Sequence, residues 1–215
     1  MSGTPLPTSD SVKDVTQPQR RRIPFERLSK LGVLMALLFF VAVFAVASPR
    51  FLTPDNFINV SRQISTNFII GCGMTFVIIT AGIDLSVGSF VALSGVLMAG
   101  LTVNYGLPWP FAILLTVLAL AGVGLLNGFA ISRQGLQPFV VTLAMMGIAR
   151  GLALAYTDGT PIFITDPNVL ALGNGYIGPL PIPVVIAAVV GISFQIILTR
   201  TRLGRYVYAV GGNEE

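Results

Sequence analysis

The sequence predicts an all-α fold: a polytopic transmembrane helix bundle of about six spans, with a broken helix near Gly82–Gly88. Three observations carry that expectation. Of 215 residues, 53% are hydrophobic and only 10% charged, whereas soluble domains carry about a quarter charged residues. Several apolar runs approach the roughly 20 residues that a helix needs to cross about 30 Å of hydrocarbon. Finally, a single carboxylate, Asp84, stands in a long stretch without charge. From Gln63 to Ile83 only the thiol of Cys72 can ionise, and from Leu85 to Ser132 only Tyr105.

Residues 1–30 are rich in Pro, Ser, Thr and Arg, a composition that predicts a disordered tail on the cytoplasmic side. Arg20-Arg21-Arg22 and the apolar stretch ending in Ala45-Val46-Ala47 have the outline of a cleavable signal. The apolar run is long for a signal core, however, and further spans follow, so Leu31–Ser48 is expected to be the first span. Pro49 and Thr53-Pro54-Asp55-Asn56 then supply turn chemistry. The second span is expected over Ile64–Thr80 and the third over Leu85–Val103.

Between these two spans lies Thr80-Ala81-Gly82-Ile83-Asp84-Leu85-Ser86-Val87-Gly88. An acid within a membrane segment costs about 2.5–3.5 kcal/mol on insertion scales, so it should face protein or a water-filled path. Gly82 and Gly88 flank it and Ser86 follows, which suits an interrupted helix on a translocation pathway. Asp84 could instead serve only as a cap for a helix starting at Leu85, accepting from the amides near Ser86 and Val87. The two roles are compatible.

Leu107-Pro108-Trp109-Pro110 separates the third span from the fourth, Phe111–Ser132, and Trp109 suits an interfacial anchor. Phe139–Tyr156 is the fifth span. Thr157–Ile182 is polar and rich in Gly and Pro, an irregular loop or short re-entrant structure. Pro183–Thr199 is the sixth span. Gly124/Gly128 and Gly147/Gly151 form GxxxG pairs, ordinarily devices for close helix packing. Asn67, Asn127, Thr142 and Gln195 are polar groups within spans, for which interhelical hydrogen bonds are the ordinary reading. Arg150 is expected to snorkel to the outer interface.

Basic residues set the orientation. With the tail inside, ten Lys and Arg lie on the cytoplasmic side and only Arg50 and Arg62 outside, so both ends are expected in the cytoplasm. Because these residues sit beside predicted spans, the net charge of +4 points to the lipid bilayer and not to nucleic acid. With no histidine and one cysteine, most metal sites and thiol or imidazole catalysis are excluded, as is an internal disulfide. No catalytic constellation and no GxxxxGK[ST] phosphate loop is present, so the chain is not expected to be an enzyme or to hydrolyse ATP.

Gly73-Met74-Thr75-Phe76-Val77-Ile78-Ile79-Thr80-Ala81-Gly82-Ile83-Asp84-Leu85-Ser86-Val87-Gly88-Ser89 closely resembles the signature of the ribose/xylose/galactose-type permeases of bacterial ABC importers. Leu126-Asn127-Gly128, Leu136-Gln137-Pro138-Phe139-Val140-Val141-Thr142-Leu143, Arg150-Gly151-Leu152-Ala153 and Leu203–Asn213 resemble later parts of the same family. The resemblance implies a permease subunit of a monosaccharide importer in the bacterial inner membrane, with no cofactor of its own. ATP would be bound by a separate ABC ATPase subunit. A second permease subunit, identical or different, and a periplasmic or lipid-anchored sugar-binding protein would complete the assembly.

On that resemblance, Asn127, Gly128, Gln137 and Pro138 line the pathway or pack helices. Gly204, Arg205, Gly211, Gly212 and Asn213 lead into the element coupled to the ATPase. Members of that family continue with further spans, so the permease domain at 31–215 is expected to be incomplete, ending where the coupling region starts. Asn213 followed by Glu214 and Glu215 has the chemistry of a helix start, which agrees. Two other readings compete. An ion-coupled secondary transporter also uses broken helices and a lone acid, and a membrane subunit that only assembles with partners needs no pathway.

Overall fold

A computed structural model describes the backbone of residues 25–212 and the side chains of residues 32–212. The expected tail falls almost wholly outside the described residues, as does Asn213 with the two glutamates after it. The described chain is helical nearly throughout, and its contacts divide it between Thr53 and Pro54 into two units.

The first unit contains helix α1, Phe25–Ala47. Gly32–Ala47 is its apolar described part. Phe40 and Phe44 stack along one side, with centroids 6.4 Å apart, and Phe44 meets Phe51 beyond the helix end at 5.6 Å.

The second unit contains everything else. Helix α2, Pro54–Ile79, is followed by an irregular break. Helix α3, Val87–Ala99, then runs into a π turn, Gly100–Asn104. Next come α4, Trp109–Gln134, and α5, Pro138–Thr157. The short α6, Pro167–Asn174, leads to an antiparallel pair of two-residue strands, β1 (Tyr176–Ile177) and β2 (Leu180–Pro181). Helix α7, Ile182–Arg200, and helix α8, Arg202–Gly212, complete the unit. Five helices are long and apolar enough to cross a membrane: α2, α3 with its π turn, α4, α5 and α7. The expected spans are all present as helices, and the chain is a multi-pass membrane protein.

Proline and glycine set the boundaries. Pro110, Pro138, Pro167 and Pro183 sit in the first turns of α4, α5, α6 and α7, where a missing N–H costs nothing. Gly135 ends α4 in the left-handed region at φ 68°, the usual place for a residue without Cβ. The polar stretch after α5 is more ordered than its composition suggests. Asp166 caps α6 by accepting from the Asn168 amide at 2.8 Å.

Helix α3 packs against α4 and α5. Leu93, Ala149 and Ala153 form the buried core there, with Phe90, Val96, Leu97 and Leu120 around them. Helix α2 packs along α7. Gly191 leaves room for the Phe68 ring, and Phe76 meets Phe194 edge-on at 5.3 Å. Close approach therefore occurs, but not at the GxxxG pairs. A Cβ at Gly124, Gly128, Gly147 or Gly151 would meet nothing within 4 Å. The tight contacts fall at Gly100 under Tyr156, Gly175 against the Ala171 carbonyl, Gly191 under Phe68, Gly204 against the Leu198 carbonyl and Gly211 against the Ile79 carbonyl.

Candidate functional site

Helix α2 stops through backbone geometry. The Gly82 amide donates to the Val77 carbonyl at 2.9 Å and the Ala81 amide to the Ile78 carbonyl at 3.0 Å. This paired pattern closes a helix around a left-handed residue. The left-handed position belongs to Ala81, at φ 56°, and not to the neighbouring glycine. Gly82 is instead tightly seated, since a Cβ there would lie 3.1 Å from the Val77 carbonyl oxygen.

The chain is irregular through Asp84 and re-enters helix at Val87, two residues later than the expected start at Leu85. Ser86 occupies the cap position and is fully buried. Asp84 Oδ1 accepts from the Ser86 amide at 2.8 Å and from the Ser86 hydroxyl at 2.6 Å. The carboxylate thus holds the cap residue itself and does not reach the amides of the first helical turn. Both bonds fall on one oxygen. Among the described residues, Oδ2 has no protein hydrogen bond.

Helix α5 braces the break from the side. Thr142, almost fully buried, places its hydroxyl 2.8 Å from the Pro138 carbonyl and 3.2 Å from that of Ile83. A carbonyl freed by the helix interruption thereby meets a donor from another span, as irregular backbone at membrane depth requires.

These elements line a half-open cavity of about 470 Å³. Thr80, Gly82, Ile83 and Asp84 supply one wall, and Asn127, Gly128, Ile131 and Ser132 of α4 another. Pro138 and Thr142 of α5 and Val210 of α8 close it. The end of α2, the last turns of α4, the start of α5 and the tip of α8 thus meet at one end of the unit. Asn127 is 7% exposed, and its Oδ1 is buried without a hydrogen-bond partner. Such an acceptor costs about 1–3 kcal/mol when nothing satisfies it.

Of the residues singled out in the sequence, Gly82, Asp84, Asn127, Gly128 and Pro138 line this cavity, and Ser86 lies behind it, bonded to Asp84. Gly88 is exposed on α3 and does not line it. Gln137 is exposed and acts through its backbone, its carbonyl accepting from the Val140 and Val141 amides at the start of α5. Thr80 and Thr142 belong to the site as well. From sequence Thr142 is a polar group within a span and part of a family motif, and no residue spacing indicates that it meets Ile83.

The residues of the C-terminal motif separate. Thr201 joins α7 to α8: its hydroxyl donates to the Ile197 carbonyl at 2.6 Å and accepts from the Gly204 amide at 3.3 Å. Gly204 is buried in that corner. Arg205 and Gly212 are exposed, while Gly211 seats α8 on the last turn of α2.

At the opposite end, Arg62 of α2 donates to the Asn174 carbonyl at 2.9 Å and lies 4.7 Å from the centroid of the Tyr176 ring. This ties the α6–strand segment down. Tyr156 rests on Gly100, and its hydroxyl accepts from Asn104 Nδ2 at 3.4 Å across the π turn.

A family model described as "Branched-chain amino acid transport system / permease component" matches residues 56–215. The chain is 40% identical over 202 residues to the ribose import permease protein RbsC of Bacillus subtilis, covering 93% of this chain and 62% of that protein. It is 36% identical over 186 residues to the D-allose transport system permease protein AlsC of Escherichia coli, covering 86% of this chain and 57% of that one. With the galactofuranose transporter permease protein YtfT of Escherichia coli the identity is 33% over 219 residues, covering 94% and 61% respectively. The chain thus spans about three fifths of the length of these relatives. No solved structure matches.

Proposed function

The chain belongs to the branched-chain amino acid transport system / permease component family, and from that premise we propose that it serves as a membrane-spanning subunit of an ABC importer for a monosaccharide. One observation supports the substrate class above all: relatives named for ribose, D-allose and galactofuranose each align over most of this chain. The site agrees with that reading. A neutral sugar needs hydroxyl and amide groups and apolar walls in place of a strong field, and the cavity offers one carboxylate, one amide and hydroxyls among apolar side chains.

In this reading the tail and the end bearing Arg133, Arg200, Arg202 and Arg205 face the cytoplasm, following the basic residues. A separate ATPase binds ATP and docks near α8. Its closure would displace α8, which touches both the last turn of α2 through Gly211 and the cavity through Val210. The broken helix is then the movable wall. A binding protein delivers sugar at the opposite end, and a second permease subunit completes the path.

Asp84, an acid at a helix interruption, favours a second reading, an ion-coupled carrier. The experiment that separates them is sugar uptake by cells expressing the complete set of subunits. Loss of uptake on ATP depletion, with persistence after collapse of the proton gradient, is the expected result. The opposite pattern would replace the importer with the carrier.

A further inference from the structure

Helix α8 is the most sharply two-sided of the described helices, and most of its surface faces away from the bundle. Three stripes run along it, each on steps of three and four residues, the spacing that aligns side chains on one face. Gly204, Val207 and Gly211 form the covered stripe, with Gly204 against the Leu198 carbonyl and Gly211 against that of Ile79. Leu203, Tyr206 and Val210 form the second stripe, and Arg202, Arg205 and Ala209 the third; all six are exposed. Successive residues are about 100° apart around a helix, so the apolar stripe lies between the packed one and the basic one.

Position gives the pattern a use. Helix α8 leaves α7 through the single residue Thr201 and reaches the last turn of α2 at Gly211. It therefore crosses the ends of two spans, where hydrocarbon gives way to headgroups. Tyrosine favours that depth, and Tyr206 and Tyr208 are both exposed. Charge at this end is one-sided. Arg133 in the last turn of α4 and Arg200 in that of α7 are exposed, like Arg202 and Arg205. Among the described residues, Asp84 is the one carboxylate at this end, and Ser86 engages it. No described residue pairs with the four guanidinium groups. Glu214 and Glu215, the next acids along the chain, lie outside the described residues.

We infer that α8 is an interfacial anchor whose outer face holds anionic phospholipid headgroups of the leaflet at this end. The inference goes beyond the importer reading and requires only that the unit spans a membrane, so it stands or fails independently of the sugar. Acyl chains meet Leu203, Tyr206 and Val210, and phosphates meet Arg202 and Arg205, as in other amphipathic helices that lie in the interface plane. Arginine suits the task because its planar fork gives two parallel hydrogen bonds to a phosphate. Since Val210 also borders the cavity, bound headgroups would set how freely that wall moves.

The test is quenching of an indole placed on the apolar stripe. Trp109, the single tryptophan, lies at the start of α4 at the opposite end, so the full chain carries Trp109→Phe and Tyr206→Trp. It is reconstituted in nanodiscs of phosphatidylcholine with a minor, fixed share of phosphatidylglycerol. Equal amounts of bromine are placed on the acyl chains of one lipid or the other. Brominated phosphatidylglycerol should quench roughly two- to five-fold more than brominated phosphatidylcholine. The excess should fade at about 1 M salt, where the Debye length is about 3 Å. Arg202→Gln with Arg205→Gln should bring the two lipids level, whereas Arg202→Lys with Arg205→Lys, which keeps the charge, should retain most of the excess.

The anchor is overturned if neither lipid quenches, because protein or water then covers the stripe. Equal quenching by both lipids also overturns it, as does an excess that survives the glutamine pair, which assigns the effect to other basic segments. Both arginines are exposed, so the glutamine pair should elute from gel filtration as the parent does. If it does not, an excess insensitive to salt in the parent overturns the anchor by itself.

Discussion

Ala81 holds a left-handed conformation that glycine adopts freely, at a cost of about 1–2 kcal/mol for a residue with a Cβ. Replacing it with glycine relieves that strain but loosens the unfolded chain by about 0.5–1 kcal/mol. Ala81→Gly should therefore stabilise the protein by up to about 1 kcal/mol, measured as a shift in the midpoint of unfolding in detergent. A decrease would show that the Cβ makes a contact worth more than the strain. Gly204 presents the reverse situation, because a methyl group there runs into the carbonyls of Leu198 and Ile197. Gly204→Ala should cost about 1–3 kcal/mol, the usual range for overpacking, while Gly88→Ala, which meets nothing, should not destabilise. Comparable stabilities for the two variants would refute the tight corner. The composition of the motif gives no hint of the difference, since glycines look alike until their neighbours are known.

At the scale of elements, the interruption between α2 and α3 depends on a donor from α5. Thr142→Val keeps the shape and removes the hydroxyl, leaving the Ile83 carbonyl without this partner. The expected loss is about 1 kcal/mol of stability, with faster amide exchange over residues 80–86. Unchanged exchange there would mean that the break supports itself. The corner between α7 and α8 depends in the same way on Thr201, whose hydroxyl serves both helices. Thr201→Val should cost about 1 kcal/mol and free α8, so that a protease site placed after Arg205 is cut faster. An unaltered cleavage rate would argue against the cap. The alternation of apolar spans and turns was readable from hydropathy and proline placement, because both act locally. The partners of Thr142 and Thr201 were less so, because a hydroxyl within a span can bond its own helix or another.

Over the whole unit, two ends with different jobs emerge. One gathers the break, Asn127, Pro138 and the tip of α8 around a cavity. The other pins α6 and the strand pair to α2 through Arg62. Arg62→Met removes both the hydrogen bond and the ring contact, each worth about 0.5–1.5 kcal/mol. It should raise proteolysis within residues 158–181 while leaving amide exchange over residues 80–86 unchanged. If exchange there also changed, the two ends would be mechanically linked. Much apolar surface on the spans remains outward: of the hydrophobic windows of α2 and α7, only 6% is buried within this chain, against 22% for α3. Helix α3 is thus the interior helix, and the outer faces of the rest are left for lipid or other subunits.

The sequence by itself determined the apolar helical bundle, the place of the interruption and the family, since each is written in local hydropathy, in turn residues or in ordered motifs. It also singled out Asp84, which lines the cavity and bonds to Ser86. Only the tertiary structure decided which marked residues meet. Gly88 turns away, Gln137 serves through its backbone, the GxxxG pairs make no close contact in this chain, and Thr142 joins the break. The reason is rotational. Hydropathy fixes where along the chain a helix crosses, but nearly uniform apolar faces leave its rotation about its own axis to packing against its neighbours.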